Sequence, residues 1–239
     1  MKNLKFGLLL ILAFGITFCT NGQMRRTVYG NNKVEKEKRD AGQFSALRVS
    51  SGIDVYLSQG EGESIEVEAD ENLHEYILTD NRNGVLHVYS DVNIREAEMK
   101  RVYVTMKDIE SLSTSSAGDI IGQTPVRTGR LELSVSSAGD IKLEVYAKEI
   151  RAGVSSSGDV TLTGEADLLD ANLSSAGDFN AYGLVVREAE VSASSAGDAD
   201  INVTERLRAR SSSAGDINYR GNPKYIDAHS SSAGSVNRK

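Results

Sequence analysis

The sequence has few of the residues that stabilise a small secreted domain covalently or give it reactive groups. Of its 239 residues, one is cysteine, two are proline, three are histidine and none is tryptophan. A single cysteine excludes an intrachain disulfide, so the fold must be held by burial and by backbone hydrogen bonds. Aromatic residues make up 6% of the chain, which leaves few rings for a carbohydrate-stacking platform.

Positive charge is also scarce. The chain has 27 Lys and Arg against 34 Asp and Glu, which gives a formal net charge of −7 at pH 7. Nucleic-acid binding requires clustered basic residues, so this balance argues against a nucleic-acid partner. It favours a protein with an acidic, well-solvated surface.

The one long apolar run lies at the N-terminus. Lys2 and Lys5 come before an apolar stretch from Phe6 to Phe18, and small polar residues follow. This layout predicts a secretory signal peptide over residues 1–22, and the run is short for a membrane span. A lipid anchor at Cys19 is the alternative, but it is disfavoured because Phe18 stands where a lipoprotein signal has a small residue. We therefore expect an extracytoplasmic protein, in the periplasm, on the outer-membrane surface or secreted, whose mature chain has no transmembrane span.

A five-residue word, Ser-Ser-Ala-Gly-Asp, recurs through the second half of the chain. One copy has Ser157 in place of Ala, and the last copy has Ser235 in place of Asp. Successive glycines of the word are 18 to 21 residues apart. A word repeated at this period predicts a solenoid. The glycines are Gly118, Gly139, Gly158, Gly177, Gly197, Gly215 and Gly234.

Apolar and polar residues alternate between the copies. In the segment LELSV, Leu131, Leu133 and Val135 are separated by polar residues. A period of two is typical of half-buried strands and excludes helices, so the fold class is all-β. Each copy is too short to bury its own apolar face, so we expect parallel rungs stacked about 4.8 Å apart. The usual handedness of parallel crossovers then predicts a right-handed parallel β-helix.

The repeated word itself predicts the corner of each rung. We expect its glycine to have a positive φ at the bend, because glycine adopts that conformation without a steric penalty. We expect its aspartate to accept hydrogen bonds from nearby backbone amides and so to fix the corner.

The chain divides into four parts on this basis. Residues 1–22 form the signal peptide, and residues 23–43 are charged, lack periodicity and are expected to be a linker. Residues 44–110 alternate without the repeated word and predict a β-rich N-terminal cap over the first rung. Residues 111–239 form a β-helix of seven rungs of about 19 residues each.

The residues also resemble a known family. The segment "FSALRVSSGIDVYLSQGEGESIEVEADENL", followed by rungs of "SSAGDI", is similar to the putative auto-transporter adhesin, head GIN domain family of Bacteroidetes envelope proteins. The resemblance covers about residues 40–237. It implies a single-stranded, right-handed β-helix of the pectate-lyase-like kind and an extracytoplasmic location. It brings no catalytic residues with it.

The aspartates of the word are the candidate binding residues. If each copy occupies the same place on its rung, their carboxylates recur about every 4.8 Å and repel one another by about 1 kcal/mol per pair in water. A divalent cation such as calcium would relieve this repulsion, because calcium prefers several oxygen ligands. The alternative is that each aspartate only caps a corner. The column consists of Asp119, Asp140, Asp159, Asp178, Asp198 and Asp216.

No constellation predicts catalysis. His74 and His87 fall in the expected cap and His229 in the last rung, and the repeated word lacks the nucleophile-elbow pattern of serine hydrolases. We therefore expect no catalytic residues, no dedicated metal site and no cofactor, with calcium as the one ion left open. The sequence favours a non-catalytic interaction or adhesin-type module with an unidentified envelope, protein or glycan partner. The alternatives are a cation- or glycan-binding solenoid and, less favoured, a polysaccharide-active enzyme; the oligomeric state stays open.

Overall fold

The structure, a computed structural model, describes residues 26–40 and 42–239. The predicted signal peptide and Cys19 lie outside the described residues. Strands account for 67% of the described residues. Those of the first part are β1 (Thr27–Tyr29), β2 (Val34–Arg39), β3 (Ala46–Val49), β4 (Asp54–Gln59), β5 (Ser64–Asp70), β6 (Ile77–Arg82), β7 (Val85–Ser90), β8 (Asn93–Arg95) and β9 (Lys100–Met106), with a 3-10 turn at Glu71–Leu73.

The second part consists of longer strands that follow one another through the repeated word. They are β10 (Ser111–Thr114), β11 (Asp119–Gly122), β12 (Val126–Val135), β13 (Asp140–Ser155), β14 (Asp159–Ser174), β15 (Asp178–Ala193), β16 (Asp198–Ser211), β17 (Asp216–Arg220), β18 (Tyr225–Ser230) and β19 (Ser235–Arg238).

Each of these strands pairs in parallel with its counterpart one repeat later. From β13 to β14, for example, Asp140 lies opposite Asp159 and Ile150 opposite Leu169, with the same register along the whole strand. The result is a β-solenoid of about seven turns. The all-β, stacked parallel architecture predicted from the period and the alternation is confirmed.

The core is a set of inward columns that run along the solenoid. One column combines large and small side chains in successive turns, and all of its members from Leu131 to Leu207 are buried. Phe179, the largest fully buried side chain, lies in register between Val160 and Ala199, so a small neighbour offsets a large one. The column consists of Leu131, Ile150, Leu169, Ala189 and Leu207.

The first end of the solenoid differs from the expected cap. β3 and β4 pair in parallel with β10 and β11 on one side, and with β7 and β9 on the other. Residues 44–59 therefore form a turn inside the stack. The covering strands are β6, which pairs antiparallel with β7, and β5, which pairs antiparallel with β9.

Residues 23–43 were expected to form a linker, and this was wrong for the described part. β2 pairs antiparallel with the whole of β5, and Lys36 forms a salt bridge with Glu66 at 2.9 Å. Apart from the half-buried Arg39, the side chains of β2 are exposed. A strand that buries no apolar side chain needs no apolar alternation, so the sequence pattern could not indicate it.

Candidate functional site

The repeated word forms a tight turn between two strands of each coil. In the first copy, Gly118 donates its N–H to the carbonyl of Ser115 at 3.1 Å, and Ser116 and Ala117 have φ values of 52° and 57°. Two successive positive φ values closed by this hydrogen bond define a type I′ turn. The other six copies have the same pair of positive φ values.

The expected role of glycine in this turn was wrong. In the seven turns of the word, the second serine and the residue after it have the positive φ, and the glycine does not. Glycine is required instead for close approach between turns. A Cβ at Gly177 would lie 2.8 Å from the carbonyl carbon of Val154, and one at Gly215 would lie 2.8 Å from that of Ala193. Real Cβ atoms do not come so close to a backbone.

Successive turns are joined by backbone hydrogen bonds. Ala138 donates its N–H to the carbonyl of Ser156 at 3.1 Å, and Ala176 donates to Ser195 at the same distance. The side chains at the two central positions of each turn are exposed in the first six copies. The turns therefore form a straight ridge of small residues along one edge of the solenoid.

The candidate aspartates line up directly beside this ridge. All six occupy one column, in which each residue is the register partner of the next. Asp54 extends the column by one turn, because it pairs with Asp119. The sequence signal for Asp54 is the segment Ser50–Val55, which is a relaxed copy of the repeated word. The column has Arg101 beyond Asp54 at one end and Ser235 beyond Asp216 at the other.

Burial and neighbouring charge both raise pKa values along the column. The pKa of Asp119 is raised first by desolvation and then by the carboxylates of Asp140 and Asp54. Desolvation and at least one neighbouring carboxylate also raise the pKa values of Asp159, Asp178 and Asp198.

The backbone amides of the column also join neighbouring turns. Asp140 donates its N–H to the carbonyl of Gly118 at 3.3 Å, and Asp216 donates to the carbonyl of Gly197 at 3.1 Å. In both, the donor belongs to the following turn and the acceptor is a backbone carbonyl. The expected role of the carboxylate in fixing its own corner stays a prediction.

A second polar row lies two residues further along the same strands. Asn180 is the register partner of Asp200, which is followed by Asn218 and Asn237. Asn218 donates from Nδ2 to Oδ1 of Asp200 at 2.9 Å. Nearby, the guanidinium of Arg220 lies 4.0 Å from the ring centroid of Tyr182. The outer face of these strands is therefore an ordered surface of carboxylates, amides and one aromatic ring.

The arrangement offers little for catalysis. Within residues 26–40 and 42–239, no group of three or more His, Cys, Asp or Glu could hold a metal ion. His74 follows the 3-10 turn and lies 3.2 Å from Glu37, and His87 belongs to β7. His229 belongs to β18, where its Nε2 lies 3.0 Å from Asp227, with 69% of its side chain exposed. The three histidines thus lie on different elements.

These features define a class of protein, the parallel β-solenoid whose repeated turns present ordered columns of side chains. Residues 43–223 match the family described as "Putative auto-transporter adhesin, head GIN domain", and the chain belongs to this family. The resemblance seen in the sequence is confirmed. None of the curated proteins matches the sequence.

Solved structures share the fold. A putative adhesin from Bacteroides fragilis has a TM-score of 0.82 at 17% identity, over 89% of this chain and 100% of that one. A putative adhesin from Parabacteroides merdae has a TM-score of 0.72 at 23% identity, over 90% and 99% of the two chains. A protein from Parabacteroides distasonis described as a putative lipid binding protein has a TM-score of 0.72 at 21% identity, over 90% and 100%. For this chain, no helix among the described residues is long and apolar enough to cross a bilayer.

Proposed function

We propose that the chain is a non-catalytic, extracytoplasmic module that binds an envelope, protein or glycan partner through the outer surface of its solenoid. The observation that carries this proposal is the stacking of the outward columns beside the repeated word, where Asp140, Asp159, Asp178 and Asp198 stay in register from β13 to β16, although the strands shift register further along. Such a surface repeats the same polar groups at the strand spacing of about 4.8 Å and suits an extended polar partner. The family description and the neighbours described as adhesins support an external partner.

A lipid partner would have to bind on the outside. One structural neighbour is described as a putative lipid binding protein. In this chain, the inward columns of the turns consist of buried side chains that fill the interior. The polar character of the outer columns favours a polar partner instead.

The proposal is tested by binding of the labelled full chain to envelope preparations and to glycan-coated surfaces. We expect saturable binding by the folded chain, and none by a chain unfolded by heat and kept unfolded in urea. Failure to bind any of these surfaces would contradict the proposal. Release of soluble products from a set of polysaccharides would contradict its non-catalytic part.

The second candidate function is a cation or glycan site along the aspartate column. It is favoured by one observation, the register that places a carboxylate beside a carboxylate in six successive pairs from Asp54 to Asp216. Calorimetry with calcium chloride is the direct test. This candidate predicts a heat of binding that disappears in the double variant Asp140→Asn with Asp159→Asn and persists in the control Asp91→Asn. A trace without binding heat in the unmodified chain rules out calcium.

A further inference from the structure

A shallow groove lies on the face formed by the second halves of strands β13 to β16. Its volume is about 250 Å³, and its lining includes Leu168 and Asp170 of β14. The groove is separate from the aspartate column, since Asp159 begins β14 and Gly164, with a φ of 111°, lies between the two places. It is therefore a different surface from the candidate cation site.

The apolar part of the groove is Leu168, which is 47% exposed. A single exposed leucine needs no partner by itself, because such residues are common on monomeric proteins. The register, however, places Leu168 between Glu149 and Glu188 of the adjoining turns. The buried Leu169 and Ala189 also line the groove. An apolar surface is thus flanked by a carboxylate on each side.

The charge of the groove is negative. Its lining has four carboxylates against two guanidinium groups, a net charge of −2. Glu149, Glu188 and Glu190 each form a salt bridge with an arginine of the same chain. Asp170 forms none with the residues that the structure describes, because Arg151, its register partner, donates to Glu149 at 2.7 Å. One carboxylate of the groove is therefore available to an external cation.

The hydrogen bond that Asp170 makes decides which cation fits best. Its Oδ1 accepts from Nδ2 of Asn172 at 3.0 Å, which leaves its charge uncompensated. A guanidinium group binds a carboxylate best through both oxygens, whereas an ammonium group is a point charge that needs only one. Because Oδ1 is already engaged, Oδ2 suits an ammonium group. Leu168 and Asp170 share the outer face of one strand about 6.6 Å apart, a distance that the flexible stem of a lysine can follow.

We propose that this groove binds a lysine side chain of a protein partner, with the aliphatic stem against Leu168 and the ammonium group donating to Oδ2 of Asp170. Lysine packs its stem along apolar surface while its charge stays in contact with water, so a half-open groove meets both needs. An amino sugar carries the charge but no alkyl stem. The inference rests on the proposed external partner and specifies its chemistry, a protein segment with an exposed lysine.

Methyl NMR of the full chain tests the contact. The probe is the peptide acetyl-Gly-Gly-Lys-Gly-Gly-amide, and its comparisons are the same peptide with arginine or norleucine in place of lysine, and glucosamine. The lysine peptide should shift the methyl resonances of Leu168 saturably, in the millimolar range because one exposed ion pair contributes little. The arginine peptide should bind more weakly, and the norleucine peptide and glucosamine at least about fivefold more weakly. No saturable shift with the lysine peptide, or equal binding of any comparison compound, would overturn the proposal.

Two substitutions separate the stem from the charge. Asp170→Asn should weaken binding of the lysine peptide about three- to fivefold, the contribution of one exposed ion pair. Leu168→Ser should weaken it by a similar factor, followed at the amide resonance of Asp170, because the stem loses its apolar contact. The matched controls are Asp91→Asn and Val185→Ser, at exposed residues outside the groove, and both should bind as the unmodified chain does. Thermal unfolding checks that all four variants are folded. Equal weakening by the controls would indicate general charge attraction and refute the site.

The peptide experiment and the test of the proposed function can fail separately. Binding of the labelled chain to envelope preparations requires no peptide. If that binding occurs while the lysine peptide causes no shift at Leu168, only the groove assignment fails. If the lysine peptide binds as expected while the chain binds no envelope or glycan surface, the proposed function fails and the lysine contact stands.

Discussion

Ser235 donates a hydrogen bond from its Oγ to Oδ1 of Asp216 at 2.6 Å. These two residues are register partners at the last step of the aspartate column. The column therefore ends on a neutral hydroxyl that donates to its last carboxylate, whereas at every earlier step from Asp54 a carboxylate meets a carboxylate. Replacing a carboxylate within the column by a neutral donor should therefore relieve repulsion.

Asp159→Asn should raise the free energy of unfolding by about 1 kcal/mol at pH 7. Asp159 has a carboxylate neighbour on each side, and each repulsion is worth about 1 kcal/mol in water at this spacing. Solvent screening of the exposed side chain reduces the sum. Urea unfolding measures the change. The control Asp170→Asn, on the outer face of β14, should change the free energy by less than about 0.5 kcal/mol. If Asp159→Asn destabilised the protein and the control Asp170→Asn did not, the carboxylate of Asp159 would stabilise its corner.

The stabilisation expected from Asp159→Asn should disappear at acid pH. The folded pKa of Asp159 is raised above its ordinary value of 3.8 by burial and by Asp140, so ionisation costs stability above the folded pKa. That cost is lost as pH falls through the folded pKa, and below pH 3.8 the variant and the unmodified protein should unfold at the same temperature.

Asp227 should show the opposite pH dependence of stability, because the hydrogen bond from Arg210 lowers its pKa. Asp227→Asn should destabilise the protein at pH 7 and have little effect below the lowered pKa. Thermal unfolding at pH 7 and at acid pH measures both differences.

Gly177→Ala should destabilise the protein by about 3 kcal/mol or more, since the new Cβ would collide with the backbone of Val154. Gly153→Ala is the matched control, because nothing lies within 4 Å of a Cβ at that position. Ala176→Gly should be tolerated, because Ala176 has a φ of 58° that glycine adopts more easily. Chemical unfolding ranks the three variants. Equal effects of the two Gly→Ala changes would mean that close approach does not explain the glycine.

Asp70→Ala should cost about 3 kcal/mol and loosen the strands near the first end. Asp70 is fully buried, and its carboxylate accepts N–H groups of Asn32 at 2.9 Å and Met99 at 3.0 Å. Hydrogen bonds to a charged group are worth more than neutral ones, and their loss leaves buried donors unsatisfied. Hydrogen exchange should become faster at these two amides, while the amides of β14 keep their protection. Asp91→Ala, at an exposed position, should leave both regions unchanged.

Phe179→Ala should cost about 3 to 5 kcal/mol, because it leaves a cavity between Val160 and Ala199. Val185→Ala, at a residue 43% exposed on the same strand, should cost less than about 1 kcal/mol. Adding Ala199→Phe to the first variant should recover part of the loss, since the ring then fills the core from the adjacent turn. Thermal unfolding of the four proteins measures these differences. No recovery would indicate that the two turns do not share one cavity.

The repetitive part of the fold could be predicted because the sequence pattern that defines each turn is local and recurs in every copy. The period of the glycines and the alternation around Ile150 and Leu169 define both the turn and the inward face of each strand. The positions of the candidate aspartates followed from the same repeat, and the structure places them in one column. Whether they bind an ion or a partner stays a prediction.

The remaining features depend on contacts that a sequence pattern does not encode. β2 has no inward apolar residues, so only its pairing with β5 identifies it as a strand. The position of β3 between β7 and β10 depends on where a later segment returns. The role of Gly177 depends on the distance to Val154 in the preceding turn, which no single copy of the word contains.

The placement of β3 and β4 between β7 and β9 on one side and β10 and β11 on the other has a consequence for the order of folding. Residues 44–59 need partners from residues 85–106 and 111–122, so their turn cannot be completed until these later segments have returned to it. Each later turn needs only the turn just before it. The first turns therefore have the longest loops to close, and the later turns can add one after another.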